Sequence, residues 1–164
     1  MSTIAIYPGT FDPITLGHMS IAQRAATIFS PVVVAITEMP DKEETFSLKE
    51  RYDMVFEAFR DNDNIIVESF SGLLVDYVKS KGASVVIRGM RAIADFEYEF
   101  QLALANRKLS PSIETLFFMT DNEYLFISSS MVKSIAKHHG DISSFVPHHV
   151  AYKLHTHFAD TREK

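Results

Sequence analysis

"TIAIYPGTFDPITLGH", residues 3–18, runs from an apolar, β-branched segment to a Gly-His pair. The apolar residues predict a strand that Pro8 and Gly9 end, and a helix is expected over about residues 17–29. Thr10 and His18 then place a hydroxyl and an imidazole where the strand gives way to the helix. In α/β proteins this junction is a common place for phosphates to bind.

The same alternation of strand and helix continues along the whole chain. Four more apolar runs predict strands, at residues 31–37, 64–70, 83–89 and 114–120. The intervening helices carry end signals: Ser47 and Glu50 form a capping box, and Gly82 and Gly140 are expected to end helices. We therefore predict one α/β domain over residues 1–164, with a Rossmann-like five-stranded parallel sheet, helices on both faces, C-terminal helices, and a frayed tail of about six residues.

The composition limits the class of protein. A chain of 164 residues with 46% apolar and 23% charged residues fits a single globular domain. Cysteine is absent, which excludes disulfides and thiolate metal sites and agrees with a cytoplasmic protein. No apolar run is long enough for a membrane span, and the first residues lack the basic region of a signal peptide. The net charge of −5 argues against nucleic-acid binding.

Basic residues nevertheless gather at the predicted carboxyl ends of the strands, where ligands bind in such folds. His18 follows the first strand, Lys42 the second, and Arg88 and Arg91 the fourth. This pattern predicts a polyanionic ligand such as a phosphate. The chain has no G-x-x-x-x-G-K-[ST] and no G-x-G-x-x-G after its first strand, which argues against a P-loop enzyme and a dinucleotide dehydrogenase.

Three segments together resemble one enzyme family. "TLGH" (residues 15–18) is similar to the T-x-G-H form of the signature of the nucleotidylyltransferase superfamily. "IRGMRAIADFEYE" (87–99) and "FISSSMVK" (126–133) resemble two signatures of the phosphopantetheine adenylyltransferases within it. The resemblance extends over nearly the whole chain in the right order. Thr15 stands where the superfamily more often has His.

The resemblance implies a reaction and its partners. ATP and 4′-phosphopantetheine would give dephospho-coenzyme A and pyrophosphate, by direct in-line attack on the α-phosphorus with no covalent enzyme intermediate. Mg²⁺ would be the cofactor, held mainly by the ATP phosphates rather than by the protein. The family also implies a homohexamer, feedback inhibition by coenzyme A, and no nucleic-acid or membrane partner.

The resemblance further implies roles for particular residues. His18 would stabilise the transition state, with Thr10, Lys42 and Arg91 as the other catalytic residues. Phosphopantetheine would contact Thr10, Lys42, Leu74 and Arg88. ATP would contact Thr10, Phe11, His18, Gly89, Met90, Arg91, Glu99, Tyr124, Leu125, Phe126, Ile127, Ser128, Ser129 and Ser130.

Simpler interpretations stay open from the residues alone. His18 and the serine run can cap helices, and Lys42 can be a solvated loop residue. Arg88 and Arg91 can be ion-pair partners of Asp95 and Glu99. Two other functions also compete: a superfamily enzyme that transfers a cytidylyl or nicotinamide-linked group, and a non-catalytic nucleotide-binding or regulatory module with the same fold.

Six of the seven histidines lie after residue 137, and we do not expect them to bind a metal. His138 and His139 are neighbours in sequence, as are His148 and His149, so their side chains diverge on a helix. A solvated helix surface is the preferred interpretation.

Overall fold

Five parallel strands form one sheet in the computed structural model, which describes residues 3–38, 43–91 and 93–159. The strands are β1 (Ala5–Gly9), β2 (Val32–Thr37), β3 (Ile65–Phe70), β4 (Val85–Met90) and β5 (Glu114–Met119). Their order is β3-β2-β1-β4-β5. The chain therefore adds β2 and β3 on one side of β1 and then reverses direction to add β4 and β5 on the other side. This reversal leaves a crevice at the carboxyl ends of β1 and β4, where ligands bind in open α/β sheets.

Helices pack on both faces of the sheet, as the sequence predicted. They are α1 (Leu16–Ala25), α2 (Leu48–Phe59), α3 (Leu74–Ser80), α4 (Ile93–Leu109), α5 (Ser129–Lys137) and α6 (His148–Ala159). Alternate residues of each strand point to opposite faces. Ala5 and Tyr7 therefore join the core beneath α1, α2, α5 and α6, whereas Ile6 joins a separate core with Val75 and Val78 of α3.

Two predicted helix ends are confirmed and two are wrong, since α1 already ends at Ala25, four residues before its expected end. Ser47 and Glu50 form the capping box of α2, and Gly82 follows α3 with a φ of +65°. Helix α5, however, ends at Lys137, and the residue with a left-handed backbone is His139 (φ 60°), not Gly140. Gly140 is needed for space, because a Cβ there would lie 2.6 Å from Cγ2 of Ile135.

No helix within the described ranges is both long and apolar enough to cross a membrane. The expected frayed tail overlaps residues 160–164, which lie outside the described residues.

Candidate active site

Two adjoining cavities open at the carboxyl ends of β1 and β4. The first, of about 300 Å³, has polar and charged walls, and the second, of about 330 Å³, is mainly apolar. They share Pro8, Gly9, Thr10, Arg88 and Glu99 along their common border. The site thus has room for a charged group and an apolar group that meet at Thr10 and Arg88.

Most of the predicted site residues lie on these cavity walls. The second cavity contains Leu74, and Arg88 and Thr10 border both. The first cavity is lined by Thr10, Phe11, His18, Gly89, Arg91, Glu99, Tyr124, Ile127, Ser128, Ser129 and Ser130.

Three predicted site residues are not brought together with the others, and a fourth cannot be placed because it falls outside the described ranges. Met90, the last residue of β4, lies on neither cavity wall. Leu125 and Phe126 also lie on neither wall. The Phe126 side chain is 61% exposed and contacts Phe145 edge-on. Lys42 lies outside the described residues.

His18 is both a helix-capping residue and a cavity residue. Thr15 is the N-cap of α1, and its backbone N–H donates to Nδ1 of His18 over 3.1 Å. Because Nδ1 accepts this bond, the proton of the neutral ring is on Nε2. Burial, together with the positive charges of Arg91 and Arg88, lowers the pKa of His18 to about 4. At neutral pH the ring is therefore an uncharged N–H donor.

Phe11 adopts an unusual backbone conformation beside His18. Its φ is 49°, a left-handed value that is rare for an aromatic residue. Its side chain is buried. The ring meets His18 edge-on, with 5.2 Å between the ring centroids. A Cβ on Gly9 would lie 2.9 Å from the Phe11 ring, so the glycine lets the chain turn tightly around Thr10.

Carboxylates hold the two arginines of the first cavity. Nε and Nη2 of Arg88 donate to Glu99 over 2.6 and 2.5 Å, and Nη1 donates to the Pro8 carbonyl. Arg91 pairs with Asp95 at 3.0 Å and also donates to the Ile127 carbonyl. The ion-pair interpretation is therefore confirmed, and the same pairs place both guanidinium groups on the cavity wall.

The N-terminus of α5 forms another part of this wall. The Ser128 hydroxyl accepts the N–H of Met131 as the helix cap, and the Ser129 hydroxyl donates to the Pro13 carbonyl. These bonds hold the first turn against the β1–α1 connection. The exposed N–H groups of such a helix start favour anions.

One ion pair in the first cavity was not predicted from the sequence. Nζ of Lys133 lies 2.8 Å from Oδ2 of Asp12, and both residues line the wall. Asp12 also accepts the backbone N–H groups of Thr45 and Phe46, and these bonds and Lys133 lower its pKa against the opposing effect of burial. The spacing of Ser129 and Lys133, one helical turn apart, was the signal that could have identified Lys133.

Arg51 is a second residue that the sequence did not single out. Its side chain is fully buried beneath the site, where Nη1 donates to the carbonyls of Thr10 (2.7 Å) and Thr37 (2.9 Å). Nε donates to the Phe46 carbonyl and Nη2 pairs with Glu44 at 2.5 Å. Arg51 thus joins the ends of β1 and β2 to the residues that precede α2.

No metal centre is evident in the described part of the chain, which holds no group of three or more His, Asp or Glu residues suited to one. In the first cavity, Asp12, Asp95 and Glu99 each pair with a cation. A metal in this cavity would therefore need ligands supplied by the substrate.

Known proteins resemble this chain in sequence over most of its length. A model of the cytidylyltransferase-like family matches residues 6–135. A phosphopantetheine adenylyltransferase from Solidesulfovibrio magneticus is 53% identical over 93% of this chain and 89% of its own length. One from Heliobacterium modesticaldum is 48% identical, over 97% of this chain and 95% of its own length.

The fold also matches a solved structure. A crystal structure from Vibrio parahaemolyticus, provisionally described as a nicotinate-nucleotide adenylyltransferase, superposes with a TM-score of 0.69 over 94% of this chain and 99% of its own. With 18% identity, this likeness concerns the fold alone.

Proposed function

We propose that this chain transfers the adenylyl group of ATP to 4′-phosphopantetheine. The chain belongs to the phosphopantetheine adenylyltransferase family of the cytidylyltransferase-like nucleotidyltransferases, and this membership supports the proposal. The products are dephospho-coenzyme A and pyrophosphate, in coenzyme A biosynthesis, and the setting is the cytoplasm. The observation that carries this proposal is the pair of cavities that meet at Thr10 and Arg88. One cavity suits a nucleoside triphosphate and the other a pantetheine arm.

The chemistry is a direct in-line attack of the acceptor phosphate on the α-phosphorus of ATP, without a covalent enzyme intermediate. The Nε2–H of His18 donates to the α-phosphate as negative charge develops there, which is the kind of preorganised donor that stabilises a transition state. The Thr10 hydroxyl holds the attacking phosphate. Arg91 binds the leaving pyrophosphate, and Lys42 bridges the two reacting groups.

Arg88 binds the phosphate of the acceptor at the border of the two cavities. Its Nε and Nη2 donate to Glu99, so the guanidinium is already oriented when the phosphate arrives. Because Glu99 already holds the guanidinium, Arg88 loses little conformational entropy when a phosphate binds. Leu74 and the apolar walls of the second cavity contact the pantetheine arm.

Mg²⁺ accompanies ATP and is held mainly by its phosphates. The carboxylates of the first cavity are committed to Arg88, Arg91 and Lys133. The ion supplies charge neutralisation on the phosphate oxygens when it is bound. Coenzyme A, which shares its pantetheine and nucleotide parts with the product, inhibits by occupying the same two cavities.

The enzyme assembles into a homo-oligomer, with a hexamer as the expected size. Helix α4 exposes a stripe of large apolar side chains, in which Phe96, Phe100 and Leu104 are 45%, 46% and 52% exposed. A continuous apolar patch of this kind is typical of a surface that a partner covers. A second copy of the chain is the partner that covers this α4 stripe.

The test of the reaction is pyrophosphate release from ATP and Mg²⁺, measured with and without 4′-phosphopantetheine. We expect release only with the acceptor, together with an equal amount of dephospho-coenzyme A. Pantetheine without its phosphate is the matched control and should give no release. Release from ATP alone would contradict the proposal, and so would ATP binding without any turnover of the acceptor.

A further inference from the structure

Thr120 has a polar group that the protein itself does not use. Among the side chains of the described residues, its Oγ1 is the buried polar atom that has no hydrogen-bond partner. The residue is 6% exposed and lies just beyond the carboxyl end of β5. Leaving a buried hydroxyl without a partner is costly, so such groups call for an explanation.

The surroundings of Thr120 form an uncharged part of the first cavity wall. A Cβ built on Gly17 would lie 3.4 Å from Cβ of Tyr124 and 3.9 Å from Cγ2 of Thr120, so these residues are close neighbours. Ile21 approaches Gly89 so tightly that a Cβ on Gly89 would lie 2.3 Å from its Cδ1. We call the wall formed by Gly17, Ile21, Gly89, Thr120 and Tyr124 the base slot.

The base slot differs chemically from the rest of the cavity. The cations Arg88, Arg91 and Lys133 line the cavity beyond the slot, together with the helix start at Ser128. The slot itself contributes apolar groups and the hydroxyls of Tyr124 and Thr120, of which that of Thr120 is buried without a partner. Phosphates need the charged part, whereas a flat, largely apolar ring with polar edge atoms fits the slot.

We propose that the hydroxyl of Thr120 forms a hydrogen bond with the base of the bound nucleotide and so contributes to the selection of ATP. This inference rests on the proposed function, because it assumes that a nucleotide occupies the cavity. In the structure the methyl Cγ2 of Thr120 faces Gly17, whereas Oγ1 is buried. Rotating χ1 to another staggered position exchanges these two similarly sized groups and turns the hydroxyl toward the slot. A hydroxyl can both donate and accept, and it can therefore pair with a ring nitrogen or an exocyclic amine of a purine.

The test uses T120V, which keeps the shape and removes the hydroxyl, and T120S, which keeps the hydroxyl. We expect the Kd of ATP to rise about five- to tenfold in T120V, as for the loss of one hydrogen bond, and to stay near wild type in T120S. Inorganic tripolyphosphate, which has no base, should bind T120V and wild type equally. T27V, at an exposed threonine just after α1, is the matched control.

Thermal unfolding gives a second readout, in which T120V should be more stable than wild type although it binds ATP more weakly. Without nucleotide, T120V should melt about 2–4 °C above wild type, because the unpartnered hydroxyl is gone. Damage to the site would instead lower the melting temperature and weaken both ligands. Unchanged ATP affinity in T120V, or equal losses for ATP and tripolyphosphate, would overturn the inference.

These binding measurements are separate from turnover. If wild type forms no dephospho-coenzyme A while T120V loses affinity for ATP but not for tripolyphosphate, the proposed reaction fails and the base contact stands. If turnover is normal and ATP affinity is unchanged in T120V, the base contact fails and the reaction stands.

Discussion

The two nitrogens of the His18 ring serve different parts of the protein. Nδ1 accepts the Thr15 N–H at the start of α1, and this bond leaves the proton on Nε2. A T-x-G-H sequence is therefore a capping box in which His takes the place usually held by Glu or Gln. The helix cap fixes the tautomer that the proposed chemistry requires.

Replacing His18 by Ala should lower kcat about 10²-fold or more, because a transition-state donor is lost, with little change in the Kd of ATP. Rapid-quench kinetics and calorimetry measure the two quantities. His18→Gln, which can complete the same capping box, controls for the helix end. Near-normal turnover in the Ala variant would remove His18 from its proposed role.

The lowered pKa of His18 predicts a pH dependence of stability. In the unfolded chain the imidazole binds a proton near pH 6.5, but in the folded protein only near pH 4. The unfolded state thus holds more protons between these values, and the folded state loses stability as pH falls through this window. Between pH 7 and pH 4, urea unfolding should show wild type losing on the order of 2 to 3 kcal/mol more than His18→Gln. Parallel curves for the two proteins would contradict the assignment.

Arg88→Ala should weaken 4′-phosphopantetheine more than ATP, because Arg88 borders both cavities and its guanidinium is aimed by Glu99. Loss of a charge-assisted pair predicts about a tenfold or larger rise in the KM of the acceptor. Steady-state kinetics with each substrate varied in turn measure this. Arg60→Ala, at an exposed ion pair with Glu57 just after the end of α2, is the control. A larger effect on ATP would mean that the proposed roles of Arg88 and Arg91 are exchanged.

At the scale of elements, charged residues connect strand ends to the segments beside them. Arg51 of α2 donates to the carbonyls of Thr10 and Thr37, which follow β1 and end β2 respectively. Asp12 accepts two backbone N–H groups just before α2 and pairs with Lys133 of α5. The strand ends that line the site are therefore fixed from two sides.

Arg51→Met should reduce the free energy of unfolding by about 3–5 kcal/mol, because the carbonyls of Thr10, Thr37 and Phe46 lose their buried donor. Urea unfolding at neutral pH measures the change. Arg60→Met, at a half-exposed arginine on the surface, should cost less than about 1 kcal/mol. Equal stabilities of the two variants would show that Arg51 does not hold these segments.

At the scale of the whole molecule, the sheet leaves one side of α4 without cover. The stripe of Phe96, Phe100 and Leu104 is exposed in the single chain, and the first two rings stack at 5.4 Å. Residues of the same helix, including Tyr98 and Leu102, line the second cavity. Self-association through the stripe would therefore also steady the wall of the acceptor site.

Leu104→Glu should reduce the oligomer to smaller species, because a charge would be buried without a partner in the subunit contact. Light scattering coupled to gel filtration measures the mass, which for the wild type should be a multiple of 18.5 kDa. Ile28→Glu, at a position that is 67% exposed just after α1, is the matched control and should leave the mass unchanged. A wild-type monomer at all concentrations would rule out the contact.

Several features of the fold and the site could be predicted because they depend on neighbours along the chain. The apolar strands, the capping box at Ser47 and the left-handed Gly82 are local properties, and the structure confirms them. The gathering of Thr10, His18 and Arg91 on one cavity followed from the rule that parallel strands end at the same edge. The α5 end was predicted two residues too late, because His139 and not a glycine takes the left-handed position in the turn that closes this helix.

The sequence by itself determined the order of strands and helices, the family, and the edge of the sheet where the site lies, since hydrophobic periodicity and contiguous motifs encode these features. Only the tertiary structure decided that Arg88 pairs with Glu99, that Arg51 contacts three separate segments, and that Thr120 is buried without a partner. Such contacts join residues distant in the chain. Their geometry depends on how the helices pack against the sheet, and no local pattern records it.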